Sequence, residues 1–376
     1  MNTPRITKPT LLLDQQRALK NIEVMAQKAR RNGVRFRPHF KTHQSARIGE
    51  WYRELGVEAI TVSSVSMATY FAEHGWDDIT IAFPVNLLEI DEINKLAGRI
   101  KLNLLVESIK AARFLAGNLQ AEVQAWIKID VGYHRTGIPN DDFEAIQSLC
   151  VETWKSPPLR FQGILTHAGH TYEAKSKDEI EFIYRSSVAK LNNIRERLYS
   201  ANFENMEISV GDTPACSIVH DLGDVDEIRP GNFIFYDVMQ LGIGSCSEDQ
   251  IATSVACPVV AKHRERNEIL LYGGAIHFSK DYVLDDGTKI YGKISLLGKN
   301  GWGPIVENTY LAKISQEHGT VKTNDHFFDR VNIGDILVVL PVHSCLTANL
   351  MGEYMTLDGK MISMMRYTSK YKTNHG

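Results

Sequence analysis

The sequence is short of several things, and each shortage excludes a class of protein. It holds only five cysteines in 376 residues, Cys150, Cys216, Cys246, Cys257 and Cys345, with no CxxC spacing. An odd, scattered set makes no disulfide framework and reads as reduced thiols of a cytoplasmic protein. No apolar run approaches the roughly 18 residues of a membrane span. Residues 1–10 lack the apolar stretch of a secretion signal. Surplus charge is also missing: 42 Lys and Arg against 45 Asp and Glu leave a net charge of -3. A nucleic-acid footprint needs a basic surplus on one face, so nucleic acid and membrane are both excluded as expected partners. What remains is an ordinary globular mixture, 43% hydrophobic and 23% charged, which rules out disorder as the main character. At roughly 150 residues per domain, the length implies two to three domains, or one large barrel with an addition.

The first two-thirds alternate short apolar runs with amphipathic stretches. Strand-like runs fall at Val34–Phe40, Ala59–Ser63, Ile79–Phe83, Leu102–Val106, Val123–Ile129, Phe161–Thr166, Met206–Val210 and Glu227–Tyr236. Helical periodicity lies between them, as in Ala18, Ile22, Met25, Ala26 and Ala29, or Ile180, Ile183, Leu191, Ile194 and Leu198. Strands alternating with helices imply parallel units. Eight such units fit a (β/α)8 barrel over residues 1–245, although an open doubly wound sheet fits the same count. From about residue 246 to 376 the texture is strand-like and helix-poor: Val255–His263, Ile269–Ile276, Tyr310–Ser315, Ile336–Leu340 and Met361–Arg366. This predicts a C-terminal all-β domain. The run Thr10–Leu13 pairs with one domain or the other.

Ionisable residues cluster where such strands end. Arg37-Pro38-His39-Phe40-Lys41-Thr42-His43 follows the first run, and in barrels that end faces the active site. A lysine there is a Schiff-base nucleophile if burial and neighbouring cations lower its pKa, with Arg37, His39 and His43 as candidate neighbours. A solvated lysine in a basic loop would read the same. Arg135, between Gly132 and Gly137, suits an anionic ligand oxygen or a plain turn. His167, in Thr166-His167-Ala168-Gly169-His170-Thr171-Tyr172, is an acid–base or ring-stacking candidate, or a structural histidine. Gly211-Asp212-Thr213-Pro214 and Arg229-Pro230-Gly231-Asn232 follow runs seven and eight, where barrels cradle phosphate; the Asp212 charge counts against that role. In the β domain, His343 and Cys345 are two apart and face the same way if the strand continues. An imidazole with a thiolate suits zinc, and only two protein ligands suit a catalytic ion with open positions. Gln316-Glu317-His318-Gly319 is a further polar cluster.

Taken in order, Arg-Pro-His-x-Lys-Thr-His near residue 40, His-Ala-Gly-His-x-Tyr near 167, Gly-x-Thr-Pro near 211, Arg-Pro-Gly near 229, Glu-His-Gly near 317 and His-x-Cys near 343 resemble one family. It is the D-threonine aldolase and D-serine dehydratase family, of the alanine-racemase fold type of pyridoxal-phosphate enzymes. The resemblance covers nearly the whole chain. It implies a barrel that binds pyridoxal 5'-phosphate, a C-terminal β domain, a homodimer, and a divalent metal, zinc by preference, beside the cofactor. Lys41 would carry the cofactor on its amine, Arg135 would lie near its phenolic oxygen, and His167 would pack on its ring. Arg229 would face the pyridine nitrogen, and Thr213, Gly231 and Asn232 would hold the phosphate, with Tyr172 beside the site. His343 and Cys345 would ligate the metal. The chain departs from the family pattern at Gln44, where a second lysine is common, at Asp212, and at Gly273-Gly274-Ala275, where Asp-Ala-Gly is common. The activity so implied is dehydration of a D-3-hydroxy amino acid, with Lys41 as base and the metal activating the hydroxyl. Retro-aldol cleavage is the close alternative, and Cys345 in place of a carboxylate favours dehydration. A racemase, which needs no metal ligands, and a non-catalytic cofactor carrier, which lacks a β domain, fit less well.

Overall fold

The computed structural model describes residues 6–366. The outer ends of the two expected domains, residues 1–5 and 367–376, lie outside it. Eight parallel strands run Arg35–Phe36, Ala59–Val62, Asp78–Pro84, Lys101–Val106, Val123–Asp130, Leu159–Leu165, Glu207–Val210 and Glu227–Ile228. They pair in chain order, and the last lies beside the first, Glu227 opposite Arg35. Closure comes from a bridge between His39 and Thr61. There Phe40 donates to the Thr61 carbonyl at 2.8 Å, and Thr61 donates back to Pro38 at 2.9 Å. The sheet is therefore a closed barrel and not an open doubly wound one.

Two strands are shorter than their apolar runs. Val34–Phe40 yields a two-residue strand plus the His39 bridge, and Glu227–Tyr236 stops at Ile228. Pro38 and Pro230 lack the N–H that a continuing ladder requires. Beyond Pro230 the chain turns into the short 3-10 segment Asn232–Ile234. The helices follow their periodicity closely. In Gln15–Arg31, Ala18, Ile22, Met25, Ala26 and Ala29 are all buried, and Asp14 caps the amides of Gln16 and Arg17. Lys177–Ser200 is capped by Ser176, whose hydroxyl accepts from Glu179. No helix among the described residues is long and apolar enough to cross a membrane.

The C-terminal half is built on a largely antiparallel sheet, with Thr253–His263 and Ile336–Pro341 at its centre. Thr10–Leu13 belongs to this sheet, antiparallel to Thr253–His263 and parallel to Glu353–Thr356. The strands Gly292–Gly298, His318–Lys322 and Glu353–Thr356 have no counterpart among the predicted runs, being short or rich in polar and glycine residues. The predicted run Ile269–Ile276 breaks after Tyr272, and Ala275–Phe278 forms a helical turn. Gly274 allows that break, because a Cβ there would sit 2.3 Å from the Ser315 carbonyl. The Glu317-His318-Gly319 cluster serves this same turn: Gly273 donates to the Glu317 carbonyl at 2.8 Å.

The barrel interior is charged at its lower end. Glu227, fully buried, accepts from Arg35 Nε and Arg37 Nε, both at 2.6 Å, and from Ser209 Oγ at 2.6 Å. Arg37 also pairs with Asp78 at 2.5 Å. Burial pushes the Glu227 carboxyl up, but Arg37 and Arg35 outweigh it and hold it down at about 2. Its contribution to stability is therefore complete above the ordinary glutamate range and is lost as pH falls toward 2. Glu227→Gln leaves the Arg37 guanidinium, only 1% exposed, with Asp78 as its remaining carboxylate. We expect a loss of roughly 3–5 kcal/mol in urea unfolding at neutral pH, shrinking as the pH is lowered below 4. An unchanged midpoint at neutral pH would refute the assignment.

Candidate active site

The C-terminal ends of the barrel strands open onto a cavity of about 430 Å³, closed on its other side by the second sheet's His343 and Cys345. That volume suits a small molecule of roughly cofactor size. Its floor is apolar: Leu105 and Leu165 line it above Trp126, with which they form a separate small cluster inside the barrel.

Lys41 stands on this wall, in the loop between the first strand and the helix Ala46–Arg53. Solvent reaches its side chain through the cavity, yet protein encloses it. Burial lowers its amine below the ordinary lysine range; Cys345 opposes that shift and Arg135 adds to it. The loop is tied to the second sheet by four side-chain bonds. Thr42 Oγ1 meets Cys345 Sγ at 3.3 Å, and Gln44 Nε2 donates to Asn349 at 3.0 Å. Ser45 Oγ donates to the Ser363 carbonyl at 2.8 Å, and Tyr354 donates to the His43 carbonyl at 2.9 Å. Gln44, where the family commonly has lysine, is thus a strut. Among the three proposed cationic neighbours, only His39 lines the cavity. Arg37 is turned to Glu227 and Asp78, and His43 packs between Phe40 and Tyr52, where burial brings it down to about 3. Both are structural.

Arg135 is presented by a loop organised around Asp130. Its carboxylate accepts from the amides of Gly132, Tyr133 and His134 at 2.9, 3.0 and 3.1 Å. His167 lines the cavity with Nδ1 bonded to the Gly211 carbonyl at 2.7 Å, and burial keeps the ring neutral. Gly169 behind it is obligatory, since a Cβ would lie 2.2 Å from the Tyr133 ring. Tyr172 accepts from the Thr213 amide at 3.2 Å. Thr213 itself is buried behind the wall, its hydroxyl accepting from the Phe233 amide at 3.3 Å.

Arg229 lies deep in the cavity, donating to Ser209 Oγ and, at 2.6 Å, to the Thr166 carbonyl. Burial brings it down to about 10, so it stays charged at neutral pH. Asp212 does reach the wall. Its carboxylate caps the following helix at Ala215 (2.7 Å) and accepts from Thr171 (2.8 Å), and burial raises it to about 6. Gly231 packs against the lysine loop, with a hypothetical Cβ 3.0 Å from His39 Cβ. Asn232 Nδ2 donates to Asp237 at 2.7 Å, to Ser344 at 3.1 Å and to Cys345 Sγ at 3.6 Å. Its side-chain nitrogen is therefore committed to the thiol side. Its Oδ1 and both polar atoms of Gln240, another wall residue, are buried without a protein partner.

The second sheet contributes His343 and Cys345, but not by strand alternation. The strand ends at Pro341, His343 is the extended residue just before the helix Ser344–Met351, and Cys345 lies in its first turn. The change from extended to helical backbone places both side chains on the wall of the same cavity. Burial opposes charge on both, while Cys345 raises the imidazole and His343 lowers the thiol. His343 Nδ1 is bonded to Asp281 at 2.7 Å, leaving Nε2 for Cys345 and the cavity. Borderline nitrogen and soft sulfur donors, with the thiol held low by its histidine neighbour, fit a zinc-like ion. Among the described residues no three His, Cys, Asp or Glu side chains gather as a complete ligand set.

Two wall residues, Lys128 and Asp237, and Asp281, which is bonded to His343, have no place in the motifs above. Lys128 is buried and brought down to about 7 by burial, Arg229 and Arg135. It is a charged residue on an inward position of the strand Val123–Asp130, two places from Trp126, and alternation marks it. Asp237 and Asp281 act from distant loops and carry no local signal.

A barrel joined to a β domain, with two lysines, two arginines and a histidine–cysteine pair on one cavity, defines an alanine racemase-like enzyme. Residues 13–238 match the family model described as "Alanine racemase, N-terminal domain", and residues 252–357 the one described as "Putative serine dehydratase domain". The chain belongs to this family. The D-threo-3-hydroxyaspartate dehydratase of Delftia sp. is 30% identical over 364 residues, 94% of this chain and 95% of its own. Its solved structure superposes with a TM-score of 0.88 at 27% identity, covering 96% of this chain and 98% of that one. The D-serine dehydratase of Dictyostelium discoideum is 28% identical over 95% of this chain and 94% of its own. A D-threonine aldolase of Arthrobacter sp. is 24% identical over 92% and 88%.

The five thiols differ enough to be told apart by alkylation. Burial pushes Cys150 and Cys216 up to about 12 and raises Cys246 and Cys257 as well, whereas His343 holds Cys345 low. Iodoacetamide at neutral pH, followed by peptide mapping, is expected to label Cys345 first, and added zinc to protect it. Prior labelling of Cys246, the other partly accessible thiol, would count against the His343–Cys345 pairing.

Proposed function

We propose that the chain is a pyridoxal-phosphate- and divalent-metal-dependent lyase that eliminates water from a D-3-hydroxy amino acid of the D-serine or D-threo-3-hydroxyaspartate type. The observation that carries this reading is the meeting of Lys41 and the His343–Cys345 pair on one cavity. Two of the relatives are dehydratases by name and support the same reaction. Lys41 would hold the cofactor through its amine, with Arg229 toward the pyridine nitrogen and Arg135 toward the phenolic oxygen. His167, neutral and fixed by the Gly211 carbonyl, would lie against the ring. Tyr172 and the backbone of Gly231 and Asn232 would receive the phosphate, with Thr213 supporting Tyr172 from behind. His343 and Cys345 would hold the metal.

When bound, the cofactor supplies an electron sink for the bond broken at Cα, and the metal supplies a Lewis acid for the departing hydroxyl. The rest falls to the chain. Lys41, its amine lowered below the ordinary lysine range, takes the Cα proton as general base once the substrate amine has replaced it on the cofactor. Thr42 and Asn232 hold the Cys345 sulfur in place. Loss of the Cα proton and the β-hydroxyl yields water and an enamine. Its imine tautomer takes up water and releases ammonia, leaving a 2-oxo acid.

The aldolase relative supports a second reading, in which Cα–Cβ breaks and glycine and an aldehyde are formed. Cys345 at the metal position, where that reaction pattern more often has a carboxylate, favours dehydration. Product analysis decides between them. With pyridoxal phosphate and zinc, D-serine, D-threonine and D-threo-3-hydroxyaspartate are each supplied in parallel. A 2-oxo acid with equimolar ammonia is expected, while glycine with an aldehyde would replace dehydration by aldol cleavage. Lys41→Ala is expected to lower kcat by roughly 10²–10⁴. Borohydride reduction should place a pyridoxyl adduct on Lys41, and its absence would remove the whole reading.

A further inference from the structure

Asp281 lies 62 residues before His343, in no motif, yet its carboxylate sits 2.7 Å from His343 Nδ1. We propose that Asp281 is the positioning residue of the metal site; the inference rests on the metal-dependent reading above. A histidine has two ring nitrogens, and whichever is held elsewhere cannot bind metal. With Nδ1–H directed to Asp281, Nε2 alone carries its lone pair toward Cys345 and the cavity. The carboxylate thus selects one tautomer, locks the ring rotation, and makes the ligating nitrogen more basic.

The loop that carries Asp281 is built for this placement. The helical turn Ala275–Phe278 ends at Ser279, whose backbone lies at φ 68 and ψ -171. That region strongly favours glycine, so a serine there is strained and held by its surroundings. The Asp281 amide donates to Ser279 Oγ at 3.1 Å, which fixes the carboxylate relative to the strained residue. The Phe278 carbonyl accepts from Thr347 Oγ1 at 3.5 Å, and Thr347 is one half-turn beyond Cys345 on the same helix. Strained turn, carboxylate and ligand helix are therefore one connected unit. Asp281 acts through His343 and not as a third ligand: it occupies Nδ1 and leaves Nε2 unclaimed, and no three-donor group forms among the described residues.

Zinc affinity, read by competition with a chromophoric chelator, tests this without recourse to activity. Asp281 is 39% exposed at its side chain, so its substitution leaves the core untouched. Four proteins are compared: wild type, His343→Ala, Asp281→Ala and Asp281→Asn. Unchanged pyridoxal-phosphate loading and thermal midpoint serve as controls for folding. Asp281→Ala is expected to weaken zinc binding by roughly 10- to 100-fold. Asp281→Asn, whose amide oxygen still accepts from Nδ1–H, is expected to recover most of that loss. Wild-type affinity in Asp281→Ala would overturn the proposal. So would an Asn variant as weak as Ala, which would make the carboxylate itself a ligand. If wild type and His343→Ala bind zinc alike, the metal reading falls and this inference with it. If His343→Ala alone weakens binding, only the role of Asp281 is lost.

Discussion

The carboxylate of Glu227 is the interaction on which the barrel depends. It is buried with two guanidiniums on it, and through Ser209 it reaches a third, Arg229, at the cavity. Glu227 and Arg229 are two apart on the last barrel strand and its extension, so both point inward. Arg35 and Arg37 stand in the same relation on the first strand. The seam where the barrel closes is thus lined by cations that share Glu227, with Glu207 on Arg35 and Asp78 on Arg37 as further partners. Their desolvation is tolerable because each has charged or carbonyl partners at hydrogen-bond distance. The charge at the bottom of the barrel and the charge at its mouth are one network.

The second constraint is the seam between the halves. The lysine loop touches five separate places in the C-terminal half: Cys345, Asn349, Tyr354, Ser363 and Met365. These contacts span the helix that carries the thiol and the strands behind it. A short loop pinned at so many points cannot move relative to the histidine–cysteine pair. Chemistry that needs a base on one face and a Lewis acid on the other gains most from such rigidity, because misplacement by an ångström costs rate steeply.

Much of this was legible in residue order. The eight strands, the helices between them and the change of texture near residue 246 follow from periodicity, because burial dictates where apolar residues recur. Lys41, Arg135, His167 and Arg229 stood out because strand ends in a barrel face one opening. The run Ile269–Ile276 misled because apolarity continues across Gly273-Gly274 while the backbone does not. Lys128 was hidden by its apolar neighbours, and Asp237 and Asp281 by distance.

The sequence by itself determined the eight alternating strand–helix units, the appended sheet and the kinds of side chain that gather at their junction, since these depend on local pattern and on motif order, while barrel closure was decided by the His39–Thr61 bridge. Only the tertiary structure decided which groups share a cavity and which merely share a motif. Arg37 and His43 flank Lys41 in the chain, yet one is consumed by Glu227 and the other by aromatic packing. Asp281, far off in the chain, reaches the His343 ring. Thr42 reaches the Cys345 sulfur across 303 residues. Charge and hydrogen bonding act over a few ångströms in space, and only the closed fold determines which residues come within that range.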